Sequence, residues 1–129
     1  MQIYCFRWEC LKDLLLSDLT HDILCAIGMP VVYEGVRYNC SVFCHNGHIL
    51  LIRPKLYLAN DGNYRELRWF SAWKNPQKLE ELQLPCMISK EISQASVPFG
   101  DACLSFADTY KSEPSLCFER VLMWIVSWC

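Results

Sequence analysis

The chain carries no excess of charge of either sign. Twelve Lys and Arg stand against fourteen Asp and Glu, a formal charge of −2 over 129 residues. No basic stripe therefore offers itself to nucleic acid or to an anionic membrane surface. An opening signal segment is missing too, since Met1-Gln2-Ile3-Tyr4-Cys5-Phe6-Arg7 has neither a basic start nor a long apolar centre. No internal repeat or low-complexity tract appears. The nearly apolar ending, Leu116 to Cys129, is shorter than the roughly twenty residues that cross a bilayer. These absences predict a protein with no nucleic-acid partner and no membrane partner.

What is present suits a small globular domain. The chain is 53% hydrophobic and 20% charged, which excludes a disordered polyelectrolyte and allows one modest core. Nine cysteines at irregular spacing do not form an even disulfide framework. Reduced thiols in a cytoplasmic protein are the simplest reading.

The apolar pattern predicts a helix from Trp8 to Leu19, with Leu11, Leu14, Leu15 and Leu19 on one stripe. Three strands follow, Ile23 to Tyr33, Val36 to Cys44 and His48 to Ile52. Glu34-Gly35 and Asn46-Gly47 turn the chain between them. Asn-Gly is the strongest short hairpin signal, because both residues tolerate positive φ. Farther on, Lys78 to Leu82 reads as a helical turn between Pro76 and Pro85. Val97 to Asp101 reads as a turn, and Ala102 to Ala107 as a strand.

The third strand runs into Arg53-Pro54, and Pro ends a ladder because it has no N–H. Lys55 then follows a rigid strand and precedes a polar turn, Asn60-Asp61-Gly62-Asn63. Catalytic side chains favour such places, although a solvated lysine fits the same spacing. Cys40, Cys44, His45 and His48 gather around the Asn46-Gly47 turn, but their spacing is not that of a zinc site, and no metal is expected. Trp69, Phe70 and Trp73 have no basic stripe beside them, so packing is preferred over base stacking.

The stretch RPKLYLANDGNYRELRWF, with GMPVVYEGVRYNC before it and VPFGD after it, resembles the glutaminase domain of eukaryotic glutamine-dependent NAD synthetases. Those domains belong to the nitrilase, or carbon–nitrogen hydrolase, superfamily. The resemblance covers about Trp8 to Thr109. It implies an α/β fold, part of a nitrilase-type α-β-β-α sandwich, with residues 1–109 as a partial hydrolase domain. Residues 110–129 form a divergent apolar tail.

The implied chemistry is hydrolysis of glutamine, whose ammonia serves ATP-dependent amidation of nicotinic acid adenine dinucleotide to NAD. Such chemistry needs a thiolate, a carboxylate to carry the proton, and a cation or N–H donors for the oxyanion. By resemblance Lys55 is the lysine of the Glu-Lys-Cys triad. Glu66 falls where nitrilase-like enzymes often carry a supporting carboxylate, with an ion pair to Arg65 or Arg68 as its ordinary alternative. Cys117 lies near the distance expected of the nucleophile, but Leu116, Phe118 and Glu119 are not its expected neighbours. The family's glutamate base precedes the first helix, and Glu9 does not match its motif.

No cofactor is expected on this chain. ATP and magnesium belong to the synthetase domain of the parent enzyme, whose Ser-Gly-Gly-rich loop has no counterpart here. The parent is expected to be a homo-oligomer. Alone, the chain is expected to be inactive, because base and nucleophile have no matching positions. A non-catalytic product that binds the full enzyme is one alternative. Another amidase of the superfamily is a second, against which the block ANDGNYRELRWF argues.

Overall fold

The computed structural model of the protein describes residues 2–102 and residue 104. Helix α1 spans Gln2–Leu16, and strands β1 (Cys25–Tyr33), β2 (Val36–His45) and β3 (His48–Pro54) form an antiparallel meander. Strand β4 (Leu79–Gln83), the short helix α2 (Cys86–Ser89) and strand β5 (Ser96–Gly100) complete the described part. The five strands make one sheet in the order β1-β2-β3-β5-β4, and only β3 and β5 run parallel.

Turn chemistry explains the meander. Glu34 and Gly35 have φ of 47° and 78°, and Asn46 and Gly47 have 48° and 74°. Positive φ at both central residues is the I′ geometry whose twist suits two-residue hairpins. At Gly47 a side chain would also be crowded, because a Cβ would lie 3.1 Å from the Leu15 carbonyl oxygen. This turn docks on the end of α1. Buried Thr20 accepts the Asn46 N–H at its carbonyl (2.8 Å) and the Gly47 N–H at its hydroxyl (2.9 Å).

One face of the sheet carries the core. Met29, Val31, Cys40, Val42, Cys44, Ile49 and Ile52 are buried there with Leu11 and Leu15 of α1. A bulge lets β3 serve both faces: Cys44 pairs with Ile49 and Phe43 with Leu51, leaving Leu50 as an extra residue. The extra residue resets the alternation, so Ile49 joins the core and Leu51 is buried on the other side. Tyr33, Tyr38, Trp73 and Phe99 close one end, with Tyr33 stacked on Phe99 at 4.5 Å.

Several sequence expectations are corrected. The first helix starts at Gln2 and stops at Leu16, and a separate 3-10 turn takes Asp18–Thr20. Ser17 sets that break, its hydroxyl donating to the Leu14 carbonyl and accepting from Leu19 N–H. Lys78 to Leu82 is not a helical turn, because Leu79–Gln83 pairs with β5. Val97 to Asp101 is mostly strand, since Val97 and Phe99 point into the core on either side of exposed Pro98. The boundary expected at Thr109, the tail after it, and nearly all of the strand expected from Ala102 to Ala107 lie outside the described residues. Among those described, no helix is long and apolar enough to cross a membrane.

Candidate functional site

Lys55 leaves the sheet directly after buried Pro54, and its backbone is fixed on both sides. Its N–H donates to the Asn39 carbonyl on β2 at 2.8 Å, and its carbonyl accepts the Trp73 N–H at 3.0 Å. The segment from Lys55 to Trp73 is thus a loop with closed ends, of the compact surface kind that often carries function. Trp73 anchors the far end inside the aromatic cluster, 5% exposed, with its indole N–H on the Asn75 carbonyl. Half-buried Leu56 packs against the core near the other end.

Between these anchors the loop folds around one carboxylate. From Ala59 to Trp69 every residue is exposed except Glu66. Oε1 of Glu66 accepts from Asn39 Nδ2 at 2.8 Å and from Lys55 Nζ at 3.1 Å. Oε2 accepts from Lys55 Nζ at 3.0 Å and from the Ala59 N–H. The Glu66 N–H returns to the Ala59 carbonyl, and its own carbonyl accepts from Trp69 and Phe70 as the 3-10 turn Glu66–Arg68 forms.

Electrostatics follow from these contacts. Partial burial pushes the Glu66 carboxyl up, but the Ala59 amide, Lys55 and Asn39 together outweigh it, and the group titrates below its ordinary value. Glu66 is therefore a fixed anion at neutral pH. Its side chain is 18% exposed and that of Lys55 43%, so the ammonium is held from one side and open on the other.

The structure thus brings Lys55 and Glu66 together, and it places Lys55 opposite Glu66 where a sequence neighbour, Arg65 or Arg68, was the alternative. Cys117 lies outside the described residues. Glu9 is exposed on α1. Of the three aromatic residues, Trp73 is core, Phe70 is half-buried and Trp69 is exposed. Burial pushes the thiols of Cys40 and Cys44 up to about 12, which opposes the thiolate a metal requires. His48 is exposed, its Nδ1 2.9 Å from the Asn46 carbonyl oxygen.

Two polar contacts escaped the sequence reading. Asn39 binds Lys55 through its backbone and Glu66 through its side chain, and its one signal was an amide inside a strand, where Asn is disfavoured. Asp101 takes Arg53 Nε and Nη2 on Oδ1 at 3.0 and 2.7 Å, and the Gln77 N–H on Oδ2 at 3.0 Å. The Gln77 amide and Arg53 hold its carboxyl below the usual range. That clamp joins the end of β3, just before Lys55, to the chain entering β4.

An arrangement of this kind can fix one positive charge at a strand end and present it to an incoming oxyanion. Sequence relatives supply the context. A glutamine-dependent NAD(+) synthetase of Arabidopsis thaliana is 63% identical over 102 residues, covering 79% of this chain and 14% of that protein. The chain matches a fragment of a glutamine-dependent NAD(+) synthetase. The Homo sapiens synthetase is 53% identical over 102 residues, again 79% of this chain and 14% of its own length. A crystal structure of the synthetase from Cytophaga hutchinsonii superposes with a TM-score of 0.66 at 26% identity. It covers 81% of this chain and 16% of that one. No protein-family model matches the chain.

The chain spans about one seventh of the length of the synthetases it matches (14% of each). The fold expected from the sequence, α/β and part of a nitrilase-type sandwich, agrees with the five-stranded sheet and its synthetase neighbour. The same matches favour a synthetase fragment over another amidase or a separate binding partner.

Proposed function

We propose that this chain forms part of the glutamine-hydrolysing unit of a glutamine-dependent NAD(+) synthetase. Lys55 is the cation for the oxyanion, and Glu66 is the residue that aims it. The observation that carries this reading is the two-oxygen grip of Glu66 on Lys55 Nζ, at 3.1 and 3.0 Å, beside Asn39. When a nucleophile attacks the side-chain amide of glutamine, negative charge develops on the carbonyl oxygen. A pre-positioned ammonium stabilises that charge without reorganising during the step.

Glu66 is not the proton carrier in this reading. Its three donors, Lys55, Asn39 and the Ala59 N–H, favour the charged form, whereas a general base works best with a pKa near the working pH. The carboxylate orients Lys55 and prevents it from folding back on solvent. The ammonia released is consumed where ATP and magnesium act, in the synthetase part of the parent enzyme. Glutamine as substrate, assembly as a homo-oligomer and a cytoplasmic location belong to the same proposal.

A chimaera tests it. The matched residues of this chain would replace the corresponding stretch of the Arabidopsis thaliana relative, and glutamate release from glutamine would be measured. The chimaera should be active. Lys55→Ala should lower kcat by about 10²–10³-fold, the usual effect of losing one oxyanion donor. Synthesis from added ammonia should persist in that variant. A folded Lys55→Ala chimaera with undiminished glutaminase activity would overturn the assignment.

A further inference from the structure

Five glycines punctuate the chain, and only Gly47 and Gly62 follow an Asn or Asp. That pairing has a chemistry of its own. The amide nitrogen after such a residue can attack the side-chain Cγ and close a five-membered succinimide. Glycine, lacking a Cβ, leaves that nitrogen least shielded. A side-chain amide reacts as it stands, whereas a carboxyl reacts only in its protonated form, which is scarce at neutral pH. In an unfolded chain Asn46-Gly47 should therefore react first.

The fold reverses that order. At Asn46-Gly47 both reacting groups are held. The Gly47 N–H donates to the hydroxyl of buried Thr20 at 2.9 Å, and Asn46 Oδ1 accepts the Asp22 N–H at 2.7 Å. Closing the ring would break both bonds and disturb the turn that joins β2 to β3. Asp61-Gly62 is under no such restraint. Asp61 and Gly62 are exposed, and a Cβ on Gly62 would meet nothing within 4 Å. The Asp61 carbonyl accepts the Tyr64 N–H at 3.0 Å. Among the described residues, neither the Asp61 carboxylate nor the Gly62 N–H has a partner.

We propose that Asp61 is the succinimide-forming site of the folded chain, and that its isoaspartyl product is a substrate for methyl transfer from S-adenosylmethionine. The Gly62 nitrogen loses its proton and bonds to Asp61 Cγ, the Cγ–OH bond breaks, and water leaves. Water then adds back to the imide. Opening at the Asp61 backbone carbonyl carbon leaves the peptide running through Cγ, with a free α-carboxylate. A methyltransferase acting on isoaspartate esterifies that carboxylate, and the ester closes again to the succinimide with loss of methanol. No electrons are exchanged.

The added backbone atom falls inside a closed ring. Ala59 and Glu66 are bonded twice, from the Glu66 N–H to the Ala59 carbonyl and from the Ala59 N–H to Glu66 Oε2. Residues 60–65 must absorb the extra length. The inference does not depend on the function proposed above, since it concerns a modification site.

The test ages the purified chain at neutral pH, both folded and in guanidinium. An isoaspartyl methyltransferase with tritiated S-adenosylmethionine then labels it, and peptide mapping locates the modified residue. Folded chain should carry several-fold more isoaspartate at position 61 than at position 46, and denatured chain should show the reverse. Asp61→Glu should abolish the signal at position 61, because a glutamate would have to close a six-membered ring, while denatured Asn46 still reacts. Folded chain that reacts at Asn46 as fast as at Asp61 would overturn the proposal. So would folded chain with no isoaspartate at Asp61 after an ageing time that produces it there in guanidinium.

Discussion

From Cys25 to Pro54 the chain is fixed by ladder pairs and by side chains with almost no exposure. From Lys55 to Trp73 it is fixed by a few polar contacts that converge on Glu66. The first region shares its stabilisation among many apolar neighbours, so loss of one leaves the rest in place. In the second, backbone bonds and Trp73 close the two ends, and one carboxylate holds everything between them. A site on such a loop gains a precisely held charge from few residues, and it loses that charge to one substitution.

Truncating the core should cost most. Phe99 is fully buried and touches Tyr33, Tyr38 and Trp73. Phe99→Ala should destabilise the fold by about 3–5 kcal/mol, the usual cost of such a cavity. It should also loosen the loop, because Trp73 loses its wall. Urea unfolding with tryptophan fluorescence checks both. A cost below about 1 kcal/mol, well short of that range, would mean that the cluster collapses into the gap and does not anchor the loop.

Glu66→Ala should cost less overall and more locally. It releases the exposed Lys55 ammonium and Ala59 N–H to solvent and leaves only the part-buried Asn39 amide short of a partner, so the cost should be about 0.5–1.5 kcal/mol, that of one ordinary hydrogen bond. The expected signature is new protease cleavage between Ala59 and Trp69 while β1–β3 keep their amide protection. Equal loss of protection in both regions would show that the loop and the meander form one cooperative unit.

The same contrast decides what sequence reasoning could see. The meander was legible because its information is local: alternation along each strand and Glu34-Gly35 and Asn46-Gly47 between them. Strands β4 and β5 were not, because Val97 and Phe99 are drawn into the sheet by β3, far away in sequence, despite the turn residues around them. Lys55 and Glu66 were both named from the resemblance, but their pairing was left open against Arg65 and Arg68. Adjacent charges invite that reading. The 3-10 turn instead points Glu66 inward, to a lysine 11 residues earlier. Asn39 and the Arg53–Asp101 clamp carried no local signature and became visible only through the sheet that brings them together.

Acid should separate the two regions with the smallest change of all. The Glu66 carboxyl is depressed in the folded chain, chiefly by the Ala59 amide, Lys55 and Asn39 working against its partial burial. A depressed carboxyl contributes stability in full above its unfolded value, near 4.5. That contribution falls as the pH drops through the folded value. Stability attributable to Glu66 should therefore be flat from pH 7 to 5 and decline below about 4.5, the ordinary glutamate range. Glu66→Gln removes the titration, so the gap between wild type and variant should narrow as the pH falls, because protonated Glu66 comes to resemble glutamine. Asp101, also depressed, titrates in both proteins and cancels in the difference. A gap of constant size from pH 6 to pH 3.5 would show that Glu66 holds the loop by shape alone, with its charge contributing nothing.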